Sequence, residues 1–72
     1  MATDALALAT SSQDPNVAEL LVVLRSVGMS DREIRTWLSS GTAWLGGAVP
    51  IERAATDSAG VLKAAQRFAS NF

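Results

Sequence analysis

At 72 residues the chain is one domain at most, and a chain this short buries a smaller share of its surface than a typical domain does. It has neither cysteine nor histidine, so the disulfides and common metal sites that brace small scaffolds are excluded, and association becomes the remaining aid to stability. Six basic residues against seven acidic ones give a net charge of -1, which argues against a dedicated binder of phosphate backbones.

Hydrophobic residues make up 49% of the chain, enough for a core, and many of them are alanine, which favours helix. The expected fold is all-α: a small bundle of about four helices with a Leu-Gly-Gly turn and a disordered N-terminal tail. The opening MATDALALAT lacks the positive segment and long apolar run of a secretory signal, and no stretch reaches the length of a membrane span. A cytoplasmic location is expected. Residues 1–13 read as a flexible tail, because Ala-Thr-Ser-Ser-Gln offers little to pack. Within it, Ala5, Leu6 and Leu8 have the composition for a short helix or for docking on a partner. Residues 14–72 read as a single helical binding domain.

Asp14-Pro15 is a helix start, an N-cap acceptor followed by proline at the first helical position. Val17, Leu20, Leu21, Leu24 and Val27 recur at helical spacing, and Gly28 suits the left-handed stop. Val22 and Val23 fall partly off that stripe and offer a second face, through which a homo-oligomer is conceivable. Ser30-Asp31-Arg32-Glu33 matches a capping box and starts a second helix, with Met29 as its staple and Ile34, Trp37 and Leu38 as its buried stripe. Residues 41–49 read as a loop that turns at Gly46-Gly47. Leu45 is expected to plug the core. Pro50 opens a short third helix with Ile51, Ala54 and Ala55 inward and Glu52 and Arg53 outward. Asp57 or Ser58 caps a fourth, whose core face is Val61, Leu62, Ala65 and Phe68, with Lys63 and Arg67 in an outward basic strip.

Without histidine or cysteine, the usual base-activated nucleophiles cannot be built. Asp31, Glu33 and Asp57 are accounted for by helix caps. The glycine pair lies in no phosphate-cradling pattern. The chain is therefore expected not to be an enzyme and to use no cofactor and no metal. One alternative places a helix-turn-helix at about residues 20–38, with Asp31, Arg32, Arg35 and Thr36 facing a DNA groove and the chain acting as a small transcriptional regulator. Two acids in that stretch, the negative net charge and bulky Leu24 at the helix crossing weigh against it.

Trp37, then Leu45-Gly46-Gly47, then Pro50, followed by a short helix and an amphipathic one carrying Val61, Leu62 and Phe68, resembles the toxin-binding domain of the Xre/MbcA/ParS antitoxin family. The resemblance covers roughly residues 30–70. It implies a bacterial, phage or plasmid toxin-antitoxin setting, in which the domain binds a RES-type toxin that degrades NAD and blocks its cleft. The partner-binding residues it implies are Trp44, Leu45, Gly46, Gly47, Glu52, Arg53, Arg67 and Phe72, while Trp37 and Pro50 are assigned to packing. Gly41-Thr42 stands where family members commonly carry Pro-Asn, so a more flexible loop is expected. Only 36 residues precede Trp37, fewer than the family's upstream helix-turn-helix domain needs. The expected partners are thus a protein, toxin-like or another host protein, and a second copy of the chain, with nucleic acid as the lesser alternative and no membrane.

Overall fold

The computed structural model describes residues 4–72; the first three residues of the expected tail lie outside the described residues. Four helices follow in order: α1 (Ala5–Ser11), α2 (Pro15–Ser26), α3 (Asp31–Ser39) and α4 (Pro50–Ser70), with a single 3-10 turn at Ala43–Leu45 between the last two. Among the described residues there is no strand, and the all-α expectation holds. No helix among them is long and apolar enough to cross a membrane.

Residues 5–11 correct the expectation of a tail that runs to residue 13. Asp4 caps α1, its Oδ1 accepting the Leu6 N–H at 2.8 Å. Leu6 and Ala9, three residues apart on one face, are buried in the core, while Leu8 points away and stays 47% exposed. The helix is also tied across the fold, since Arg35 Nε on α3 donates to Asp4 Oδ2 at 2.6 Å. Burying Leu6 supplies what a seven-residue helix lacks by itself, because isolated helices this short are unstable in water.

The caps of α2 and α3 form as the residue types dictate. Asp14 Oδ1 accepts from Asn16 N–H at 2.8 Å ahead of Pro15, and Gly28, at φ +84°, terminates α2. At α3 both halves of the capping box are made: the Glu33 N–H donates to Ser30 Oγ at 3.2 Å, and the Ser30 N–H to Glu33 Oε1 at 2.9 Å. Leu20, Leu24, Ile34, Leu38 and Val61 lie at the centre with almost no exposed surface, and Trp37 and Met29 close the cluster at its edge. Each such aliphatic side chain contributes about 1.5–3 kcal/mol by leaving water. α4 packs chiefly along α2, and α1 lies against α3 and α2.

The expected third and fourth helices meet at Asp57, whose φ of -150° and ψ of 65° are non-helical, so the run Pro50–Ser70 is two helical segments joined at a kink. Asp57 still acts as a cap there, with the Gly60 N–H donating to its Oδ1 at 3.0 Å. The bend decides which residues face inward: Ile51 and Ala54 pack against the core, but Ala55, expected inward, is exposed. Val23, expected on a second apolar face of α2, also packs against the core. That leaves Val22 alone at 58% exposure among Ala18, Glu19, Arg25 and Ser26, all exposed, and a single surface valine needs no partner.

Candidate functional site

The connection from α3 to α4 is short, and its backbone closes on itself. Thr42 O accepts from Leu45 N–H at 3.0 Å and from Gly47 N–H at 2.8 Å, and Thr42 N–H donates to Ala48 O at 3.1 Å. Within that ring the 3-10 turn is capped by Thr42, whose Oγ1 accepts from Trp44 N–H at 3.3 Å. Gly46 and Gly47 sit at φ +65° and +93°, a pair of left-handed conformations that only glycine takes without steric cost. Gly41 is required for a different reason. A Cβ there would lie 2.6 Å from the Gly47 carbonyl oxygen, so the chain ends of the loop touch with no room for a side chain. The more flexible loop expected from Gly41-Thr42 is therefore a closely bonded one: lacking a Cβ at 41 is what lets the ring close.

This ring sets the direction of the two residues between its ends. Leu45 is half-buried and packs against the core, as expected, which anchors the loop. Trp44, next to it, is held 41% exposed. Downstream, Glu52 and Arg53 are exposed on the first turn of α4, and with Gly47, Val49 and Thr56 they line a shallow groove. The structure thus brings six of the eight residues implied by the resemblance onto the loop and the start of α4: Trp44, Leu45, Gly46, Gly47, Glu52 and Arg53.

Arg67 and Phe72 belong to the opposite end of α4. Phe72 is 66% exposed and stands edge-on to Phe68 at 5.6 Å between ring centroids; Phe68 in turn packs on Trp37 at 5.9 Å. These three rings, with Met29, form the floor of a second groove that shares no lining residue with the first, and Arg32, Glu33 and Thr36 flank it. Sequence reasoning did not find this groove. Its signal was present in Phe68 and Phe72, spaced one helical turn apart, with Trp37 the one aromatic on α3.

The four residues of the DNA-facing alternative are all exposed on α3, but two are drawn into ion pairs within the chain. Arg25 Nη1 donates to Asp31 Oδ1 at 3.1 Å, and Arg35 is held by Asp4. Arg32 and Thr36 remain, and with Glu33 and Phe72 they line one groove.

Electrostatics in this chain is a matter of caps. The Leu6 N–H, assisted by Arg35, lowers the Asp4 carboxyl below its ordinary value. The Ser58 hydroxyl and the Asn16 N–H do the same for Asp14, and the Ser30 N–H and hydroxyl for Glu33. Among the described residues no three acidic side chains converge as a metal site would require. The loop and the start of α4 thus present an exposed tryptophan, an exposed carboxylate and an exposed guanidinium on a backbone closed by hydrogen bonds. Comparison with protein families, with curated proteins and with solved structures finds no match for this chain.

Proposed function

We propose that the chain is an antitoxin-like or inhibitor-like binding module that sequesters a protein partner, by resemblance a RES-type NAD-degrading toxin. The contact surface is the Trp44–Gly47 loop together with Glu52 and Arg53. The observation that carries this reading is Trp44, a large aromatic left 41% exposed on a loop whose backbone is closed by hydrogen bonds. An aromatic held rigidly in water costs little further ordering when it binds, and tryptophans are enriched where binding energy concentrates. Glu52 and Arg53, exposed on the first turn of α4, supply one charge of each sign, which favours a partner of matching polarity over a nonspecific one.

The test is capture of the tagged chain, and of its Trp44→Ala variant, from a native host lysate. The wild type is expected to retain a second protein that the variant releases, while the helical circular dichroism of both stays the same. Recovery of no second protein from a host expressing the neighbouring genes would remove the reading.

A further inference from the structure

The groove at the end of α4 is a face the monomer leaves incomplete. Three of the four aromatic rings in the chain run across its floor, from Trp37 through Phe68 to the exposed Phe72. Trp37 also carries the one buried side-chain polar atom among the described residues that lacks a hydrogen-bond partner, its indole Nε1. Of these rings Trp37 belongs to the core and Phe68 is half-buried, while Phe72, 66% exposed, is a large apolar side chain left with room to pack against a second surface.

The charges beside the groove say what covers it. Arg32 and Glu33 stand next to each other at its edge. Arg32 has no carboxylate partner among the described residues, because the two ion pairs there use Arg25 and Arg35. Glu33 spends one oxygen, Oε1, on the capping box and has its second oxygen left. A surface that presents one uncommitted cation beside one half-committed anion is complementary to itself: a two-fold axis through the groove sets Arg32 of each copy against Glu33 of the other. An acidic or a basic partner would satisfy only one of the two and oppose the other.

We infer that this groove is the interface of a two-fold homodimer, in which Phe72 and Phe68 of each copy pack across the axis and Arg32 and Glu33 pair reciprocally. Its size is within reach of a small chain. An interface at the lower limit for specific association buries ~600 Å² per partner, roughly one-seventh of the 4389 Å² of surface that the chain exposes. The Trp44 loop shares no lining residue with this groove, so the inference does not rest on the partner-binding reading and leaves that surface free.

Sedimentation equilibrium on the full chain, from about 10 μM to about 1 mM, tests it. A reversible dimer is expected. Phe72→Asp, at a residue too exposed to carry the fold, should weaken it about tenfold or more. Arg32→Glu and Glu33→Lys should each weaken it as single species, since each puts like charges in opposition. Mixed in equal amounts, those two variants should associate with one another, because both cross-axis pairs are again of opposite sign. A chain that is monomeric at the highest concentration overturns the inference. So does a dimer that ignores Phe72→Asp, or two charge variants that fail to pair when mixed while circular dichroism shows both folded.

Discussion

Trp37 and Trp44 lie on either side of one glycine and do opposite work. Trp37 is 9% exposed and belongs to the core; Trp44 is 41% exposed, and it is its neighbour Leu45 that packs against the core. Trp44→Ala should therefore change the urea unfolding midpoint little, within about 1 kcal/mol, whereas Trp37→Ala should cost about 3–5 kcal/mol and threaten folding altogether. Gly41 carries a less visible demand. Gly41→Ala forces a Cβ onto the Gly47 carbonyl, which must shift, and a destabilisation of about 1–3 kcal/mol is expected in the same urea titration. The two roles of the tryptophans were legible in the sequence to the extent that one sits on a capped helix with Ile34 and Leu38 and the other precedes a glycine pair. The need for glycine at 41 was not legible, because it depends on a residue across the loop that no local pattern points to.

At the level of elements, the caps proved the most readable feature. Asp14-Pro15, Ser30 with Glu33, and Asp57 all begin helical segments where their side chains can accept the first free N–H groups. The α1 helix was legible only as an option at Ala5, Leu6 and Leu8 within an expected tail, because its signals are short: Asp4 as a cap and only Leu6 and Ala9 as an inward pair, followed by a run of hydroxyl residues that looks like a linker. Its place is fixed by contacts with α3 and α2 that lie far away in sequence. Leu6→Ala should accordingly destabilise the whole fold by about 2 kcal/mol or more, measured by urea unfolding; a tail that merely rests on the surface would lose almost nothing. The break at Asp57 was legible, since a cap there was expected to close one helical segment and open the next.

The same caps set the response of the chain to acid. Asp4, Asp14 and Glu33 have folded-state pKa values below their ordinary 3.8, 3.8 and 4.5, so in this range the unfolded chain binds more protons than the folded one. Their contribution is fully present above those ordinary values and is lost as pH falls through the lowered ones. Thermal melts should be flat with respect to these groups from neutral pH to about 5 and fall below about 4.5. Replacing Asp14 with Asn should make that fall shallower, with the same melts as readout.

On the scale of the whole molecule, the Cα radius of gyration is 10.8 Å, against about 11 Å for a compact chain of this length. The exposure of Trp44 and of Phe72 is thus a property of a closed fold and not of a loosened one. A domain this small, with no cysteine for a disulfide, would gain stability from the homodimer inferred above, and linkage would make that visible. The melting temperature should rise with protein concentration through the α4-end groove, and Phe72→Asp should abolish that dependence. The resemblance at Trp37, Leu45-Gly46-Gly47 and Pro50 pointed to a binding surface whose loop part the fold holds together. It also joined Arg67 and Phe72 to that surface; Phe72 lines the groove with Trp37 and Phe68, and Arg67 lies in the last turn of α4.

The proposed display of Trp44 for a partner requires the residue to be dispensable for the fold. It is tested most directly by measuring, on one preparation of Trp44→Ala, both the urea unfolding curve and the retention of the captured partner protein. The expected result is an unfolding midpoint close to that of the wild type together with partner binding weakened about tenfold or more. A variant that unfolds, or one that folds and retains the partner as strongly as the wild type, would contradict it.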